Sequence, residues 1–561
     1  MKKVYQKFKD YNTRRNVLKY RLYKFLKKHS KVTEDSPVII VWDMGGFADL
    51  LKKNAMFAAA LNLRGYKTHF IICDGTPEAC IQRGLEKNEK IEDWNNKCVT
   101  CTKAMEYYSR EYSAEYSHAG DYISTEKKDE FLNLSNTIKI EDIFAYKFLE
   151  LSVGSLAWSS VIRYMKGYVI ELKDLKKEDE IIYRKYFFAG LVNTFIANEV
   201  INKFKPVSLY SSHGVYVDYS PPVLLAYIRG IKTLCWSSGF KDFLHYFTIP
   251  KDRNKLEFRG ITEPEWKKRA AVSLTEKENE FLDSYIFHRF NKGKGKDFLN
   301  VTLPETEDQL REKLGFEKGK KIVCLFCHVN WDLTFDLSKM VFDNANQWLS
   351  QTLEAIFKND KVNWIIRVHP GEKASGSLYT NDDFLKERYP DIPSHVRILW
   401  SDSEINSLGL YKLLDIGITL FGTMGSELPL FGKPVISAGE AHFTGKGFSI
   451  DTKTREEYFK CIETIQDIEP LNPDKIEIAR KYAYSYFVQR QVPLGIIVKS
   501  EGHFGNLDYK KLDHLLPGKD LIIDAICESI IEGKDVILDE KMLKVSEQDI
   551  SLEIMPIQLN V

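Results

Sequence analysis

Three short segments in the C-terminal half gather the residue types that hold a phosphorylated ligand. The first is Arg367-Val368-His369-Pro370-Gly371-Glu372, where the proline stops a strand and leaves His369 at its rim. An imidazole there can donate to a phosphate oxygen, neutral or protonated, and Glu372 follows in the same turn. The second is Phe421-Gly422-Thr423-Met424-Gly425-Ser426-Glu427. Gly425 and its small neighbours let the backbone approach a ligand, Thr423 offers a hydroxyl, and a helix opening here would turn its amides toward an anion. Glu427, one helical turn past Thr423 on the same face, can accept from ribose hydroxyls. The third, residues 439–447, places His442, Gly445 and Lys446 in a glycine-rich loop able to grip a sugar or a diphosphate. Each segment has an ordinary reading as well: a capped strand end, a turn into a helix, a capping or solvated glutamate. Their position at successive strand ends favours one shared cleft, since independent turns have no reason to converge.

In the N-terminal half, Asp43 ends a strand beside Gly45 and Gly46, and His213 ends another beside Gly214. Asp332 follows the strand that ends at Cys327, and Lys241 is a further candidate phosphate contact. The Gly45-Gly46 turn lacks the G-x-G-x-x-G spacing of a dinucleotide fingerprint, so a nicotinamide cofactor is not expected. Of the two C-x-x-C pairs, Cys324 and Cys327 lie on an expected strand, where a spacing of three sends them to opposite faces. Cys98 and Cys101 stand in a polar segment and could serve a metal or a redox function, although zinc needs four converging ligands. No metal site is assigned from sequence.

The elements that would position these residues form two series. Residues 37–43 (PVIIVWD), a helical pattern over 48–63 and a strand over 69–73 make a βαβ unit, repeated at 206–211, 222–228 and 233–236. Strands at 321–327, 364–368, 396–399, 416–420 and 434–437 alternate with helices at 347–357, 405–413 and 423–430. The expectation is two open parallel-sheet, Rossmann-like domains facing across a cleft. Residues 1–34 form a basic amphipathic start. The first domain covers 35–315, with helical stretches over about 85–200 as an insertion or a helical layer. The second covers 316–470, and 471–561 cross back, led by a long helix over 476–490.

The motifs around His369, Thr423 to Leu428, Gly432-Lys433-Pro434-Val435 and 439–447 resemble the C-terminal signature of bacterial capsule and surface-polysaccharide transferases, including capsular 3-deoxy-octulosonate transferases. Residues 210–236, with SSHGVY and Pro221-Pro222, are similar to the N-terminal part of such proteins. The resemblance covers about 180 residues in blocks. It implies a GT-B fold, a nucleotide-sugar donor (CMP- or UDP-linked) on the C-terminal domain, and a glycan or lipid-linked acceptor on the N-terminal domain. On that reading His369 and Thr423 contact the donor phosphate, Glu427 the ribose, and 439–447 flanks the donor. Transfer with inversion, without metal, needs a base for the acceptor hydroxyl. Asp43 and His213 are the candidates, and each has an alternative as a cap or a buried histidine. Sugar-nucleotide epimerisation, polyol-phosphate transfer and a non-catalytic scaffold are the competing functions.

Bulk properties are those of a soluble globular protein. Charged residues make up 28% and hydrophobic residues 44%, with a formal net charge of +1, which gives no support for a nucleic-acid partner. Nine cysteines are too sparse for a disulfide scaffold, and no signal core is evident, so a cytoplasmic location is expected. Residues 1–31 hold twelve Lys or Arg against Asp10 alone. With Val4, Phe8, Tyr11, Leu18, Leu22 and Phe25 at helical spacing, they suit either contact with an anionic inner membrane face or packing on the protein body.

Overall fold

The computed structural model describes residues 17–84, 90–240, 244–248, 260–290, 304–332, 340–498 and 506–544. Helix α1 (residues 17–29) buries Leu22 and Leu26 against the first domain. The chain then enters β1 (Val38–Asp43), α2 (Ala48–Asn62), β2 (Lys67–Ile72), α3 (Cys98–Glu111) and β3 (Glu115–His118). Two long apolar helices follow, α4 (Val153–Met165) and α5 (Glu180–Phe204), before β4 (Ser208–Ser212), α6 (Tyr216–Ile228), β5 (Lys232–Ser238) and β6 (Leu244–Thr248). Strands β3-β2-β1-β4-β5 are parallel neighbours in that order, and β6 closes antiparallel to β5. Residues 90–200 thus form a layer over the first sheet and supply its edge strand, rather than an insertion. The strand escapes a sequence reading because Glu115-Tyr116-Ser117-His118 is polar, as a solvated edge permits.

Helices α7 (Glu263–Ala270) and α8 (Glu276–Phe290), assigned to the first domain from sequence, pack on the second. Trp266, Leu282, Tyr285 and Phe290 share an apolar cluster with Ile322, Cys324 and Ile365. The second sheet holds β7 (Ile322–Phe326), β8 (Asn363–Arg367), β9 (Val396–Leu399), β10 (Ile416–Thr419), β11 (Val435–Ser437) and β12 (Ile450–Asp451). All six are parallel, in the order β9-β8-β7-β10-β11-β12. The alternation of β7 is complete: Ile322 and Cys324 face one core cluster, Val323, Leu325 and, just beyond, Cys327 the other. Helix α9 (Pro473–Tyr484) continues through a π turn, Ser485–Gln489, and carries the chain back. Strand β13 (Val492–Pro493) joins the first sheet beside β6, and α10 (Leu521–Glu532) packs beneath β4, β5 and α2.

Both sheets therefore have the strand order of a doubly wound Rossmann domain, 3-2-1-4-5, with a sixth parallel strand in the second. Two such domains with a chain that returns to the first make up the GT-B architecture expected from the motifs. In this topology ligands bind beyond the carboxyl ends of the strands where the order reverses. Those switch points fall after β1 and β4 in one domain, and after β7 and β10 in the other.

A candidate active site between the two sheets

The domains meet at these strand ends. Trp331, just after β7, joins the apolar cluster of the first domain, and its indole N–H donates to the Ser377 hydroxyl at 2.7 Å. The Arg163 guanidinium, from α4, lies 4.5 Å from the Trp331 ring centroid and 5.9 Å from that of Tyr216. It also pairs with Asp332 at 3.5 Å. Leu378 donates its N–H to the carbonyl of Lys166 across the same seam at 2.8 Å. Between them lies a cavity of about 220 Å³ lined by Ser160, Arg163, Lys166, Tyr216, Trp331 and Ser375, among others. That is smaller than the roughly 300–1,000 Å³ of a typical small-molecule pocket, so it suits a single sugar-sized group better than a whole nucleotide sugar.

His369 lies two residues past the end of β8 (Asn363–Arg367). Its Nδ1 accepts the N–H of Gly371 at 3.0 Å, which fixes the proton of the neutral ring on Nε2. Burial lowers its pKa, Asp332 opposes that shift, and Arg367 adds to it. His213 follows β4 in the first domain, and its backbone N–H donates to the carbonyl of Trp236 at 2.8 Å. Its pKa is pushed down to about 4 by burial and by the nearby Arg163 charge. Neither of its ring nitrogens has a hydrogen-bond partner among the described residues, and its ring packs 6.0 Å from Tyr219. The backbone here is strained at two non-glycine positions, His213 (φ 62°) and Tyr216 (φ 65°), which flank Gly214 in the left-handed region. Strain at a cleft is retained only where the surroundings enforce it. The two neutral imidazoles are thus linked through one ion pair, with Arg163 acting on His213 and Asp332 on His369. Thr423 is half-buried at the end of β10, and its hydroxyl makes no hydrogen bond among the described residues.

Other sequence candidates lie elsewhere. Asp43 is fully buried and accepts from the Asn54 amide at 3.0 Å; burial raises its carboxyl to about 7. A side chain turned into the core against α2 does not reach a substrate hydroxyl. Gly45 and Gly46 are closed over: an added Cβ would meet the Tyr219 hydroxyl at 2.6 Å in one case and the Cys101 sulfur at 2.7 Å in the other. Glu372 is 2% exposed, accepts twice from Asn381, and is pushed up to about 8 by burial. It holds the turn that carries His369, since Asn381 also donates to the carbonyl of His328. Glu427 faces inward, with one carboxylate oxygen taking the Arg289 guanidinium at 3.1 Å and the other the Tyr411 hydroxyl at 2.8 Å. The helix at Thr423 is only Met424–Glu427 before Pro429 turns it to a 3₁₀ segment, so it offers little dipole. Gly425 is a packing glycine, its Cβ direction blocked by the Phe443 ring at 2.1 Å.

In the 439–447 loop, His442 stacks on Tyr486 at 4.1 Å and shares a hydrogen bond with the Tyr482 hydroxyl at 2.9 Å. Lys446 is pinned to Glu263 at 3.3 Å over Trp266, its pKa lowered by burial. Gly445 is exposed and donates to Asp451 at 2.6 Å. The loop docks on α7 and α9, not over the cavity. Lys241 lies outside the described residues. Asp332 does line the seam. Sequence reasoning passed over Arg163 and Tyr216. The signal for Arg163 was a single cation inside the apolar run Leu156–Met165 of α4, a position that a purely structural helix would fill with an aliphatic side chain.

No family model matches the chain, and no curated protein matches it. Solved structures do. One is Thermosulfurimonas dismutans KpsC, a beta Kdo 2,4 transferase, at 13% identity over 55% of this chain and 87% of that one, TM-score 0.30. Another is the spinosyn rhamnosyltransferase SpnG, at 8% identity over 80% and 95%, TM-score 0.24. A third is the UDP-GlcNAc 2-epimerase of Neisseria meningitidis bound to UDP-GlcNAc, at 10% identity over 80% and 96%, TM-score 0.23. A second structure of the same Thermosulfurimonas dismutans protein, titled as its beta Kdo 2,7 transferase, is also found, at 11% identity over 57% of this chain and 88% of that one, TM-score 0.30.

Proposed function

We propose that this protein is an inverting glycosyltransferase that moves a sugar from a nucleotide-sugar donor to a hydroxyl of a glycan or lipid-linked acceptor in surface-polysaccharide synthesis. The observation that carries the reading is a neutral histidine after a strand end of each domain, His213 beside Arg163 and His369 beside Asp332, with those two charges paired across the seam. The acceptor oxygen attacks the anomeric carbon while His213 takes its proton. The bond from that carbon to the leaving phosphate breaks, and the electron pair stays on the phosphate oxygen. The Nε2–H of His369 and the Thr423 hydroxyl stabilise the developing charge. Arg163, held by Trp331 and Asp332, places a positive charge where donor and acceptor meet.

A thermal-shift panel of CMP, CDP, UDP and GDP tests donor binding. A nucleotide at one hundred times its dissociation constant stabilises by about 2.7 kcal/mol, and His369→Ala should remove that gain. Donor and acceptor are then supplied together. A His213→Ala variant that binds nucleotide normally and transfers at least about 100-fold more slowly is expected. Transfer unaffected by His213→Ala would overturn the assignment of the base. A new nucleotide sugar formed from donor alone would identify an epimerase instead.

A further inference from the structure

Four of the nine cysteines line one small cavity in the first domain, and one of them has a partner that the others lack. Cys98 is the first residue of α3, and its sulfur accepts an N–H of the Arg83 guanidinium at 2.7 Å. Arg83 is 2% exposed, and the other hydrogen bond of its guanidinium goes to the neutral side-chain carbonyl of Asn95 at 2.9 Å. Its Nε and Nη1 have no partner. Glu78, the carboxylate among the described lining residues, is already taken by Lys128 at 3.0 Å and Lys185 at 3.8 Å. The buried guanidinium thus has no ion pair among the described residues, a costly state, and the group it is aimed at is a sulfur.

Reactive cysteines share a setting: a fixed cation at the sulfur, partial exposure and, in C-x-x-C pairs, a second cysteine three residues on. Cys98 has all three. It is half-buried and precedes Val99, which is 60% exposed. Cys101, also half-buried, lines the same cavity one helical turn later. Positions three apart on a helix lie about 5 Å from Cα to Cα, inside the range of roughly 4.4–6.8 Å that a disulfide spans. Burial pushes Cys80 up to about 12 and Cys101 to about 11, and raises Cys73 as well, so none of these three is the first to react. The enclosed space is about 20 Å³, open to a water-sized oxidant and closed to a sugar or a nucleotide.

We propose that Cys98 is an oxidation site, which hydrogen peroxide converts reversibly to a disulfide with Cys101. The Cys98 sulfur attacks one peroxide oxygen. The O–O bond breaks, an S–O bond forms, and the thiol proton leaves on the other oxygen as water. The Cys101 sulfur then attacks that of Cys98. An S–S bond forms, the S–O bond breaks, and the hydroxyl leaves with the Cys101 proton as a second water. Two thiols have together lost two electrons, and one peroxide has gained them. The bridge has a structural consequence that does not depend on the transferase reading. A Cβ at Gly46 would meet the Cys101 sulfur at 2.7 Å, so that sulfur packs directly against the turn after β1. Drawn toward Cys98, it leaves the turn without this contact.

Full-length reduced protein is treated with hydrogen peroxide, then denatured, blocked with N-ethylmaleimide and mapped by peptide mass spectrometry. A Cys98–Cys101 bridge should form and be reversed by dithiothreitol, while Cys461, half-buried beside Glu457, stays reduced. Cys101→Ser should add oxygen at Cys98 in place of the bridge, and Cys98→Ser should leave Cys101 reduced. Should Cys98→Ser fail to fold, the Cys101→Ser protein still decides which sulfur reacts first. Amide hydrogen exchange over residues 44–48 should quicken in the oxidised protein, and unchanged exchange there would overturn the link to the turn. Three results would each overturn the oxidation site itself. They are Cys461 oxidised as fast as Cys98, a bridge that omits Cys98, or a Cys101→Ser protein that gains no oxygen at Cys98.

Discussion

At the scale of single residues, buried charge separates groups that hold the fold from groups that can act. Glu427 and Arg289 are paired, with side chains 3% and 11% exposed, so removing one partner leaves the other charge stranded. Glu427→Gln should cost about 3–5 kcal/mol in denaturant unfolding, while nucleotide affinity of the folded protein stays within about twofold. His369→Ala should do the reverse, with unchanged stability and lost affinity. Asp43 sets a pH dependence of definite sign. Its folded pKa of about 7 exceeds the unfolded value of 3.8. Between those values the folded chain keeps a proton that the unfolded chain has lost, so this group's contribution falls as pH rises and levels off above about 7. Asp218 and Glu372 are raised in the same direction, and His213, lowered to about 4, opposes them between pH 4 and 6.5. Asp43→Asn should accordingly gain about 2–3 kcal/mol relative to wild type between pH 5 and 8 in paired urea titrations. A constant difference would mean that Asp43 is not buried as a neutral acid. Residue identity alone showed that Glu427 was polar and one turn from Thr423. It could not show Arg289, 138 residues earlier in the chain, which decides the role.

At the scale of elements, the apolar strands were the most legible part. Residues 37–43 became Val38–Asp43, 396–399 became Val396–Leu399, and 416–420 became Ile416–Thr419. β1 and β10 lie inside their sheets, where a strand buried on both faces reads as a mostly apolar run, while β9, at a sheet edge, keeps Val396, Ile398 and Leu399 around Arg397. The polar edge strand β3 and the two-residue strands β12 and β13 have no such signature, since their place is set by neighbours. Glycines misled for the same reason: a missing side chain marks close approach without naming what approaches. At Gly425 it is Phe443. Gly425→Ala should destabilise by about 1–3 kcal/mol through overpacking, and Phe443→Leu in the same chain should restore part of that loss. A Gly425→Ala protein of full stability with weakened nucleotide binding would return this glycine to the ligand.

At the scale of the whole molecule, α1 turns Tyr20 (57% exposed) and Tyr23 (48% exposed) outward with Lys24, Lys27 and Lys28, while Leu22 and Leu26 fix it to the body. No helix among the described residues is long and apolar enough to cross a membrane. If α1 meets an anionic bilayer through this face, each cation should contribute about 1 kcal/mol and salt should screen the attraction. Co-sedimentation with phosphatidylglycerol vesicles should exceed that with neutral vesicles, weaken between 0.05 and 0.5 M salt (about threefold shorter Debye length), and drop for Lys24→Glu with Lys27→Glu. Equal binding to both vesicle types would rule out an electrostatic membrane contact through α1.

The return of the chain to the first domain also bears on how the protein is made. All strands of the second sheet leave the ribosome before β13 and α10, yet the first domain needs both. The Ser208 hydroxyl bonds the carbonyl of Ile530, Arg64 pairs with Asp524, and α10 covers the apolar face of α2. During translation the later-encoded domain is therefore the first able to finish. The earlier-encoded one waits with its apolar underside uncovered for some three hundred residues of synthesis, from β5 (Lys232–Ser238) to α10 (Leu521–Glu532). A nascent chain of this design has reason to engage a holding chaperone through its N-terminal half.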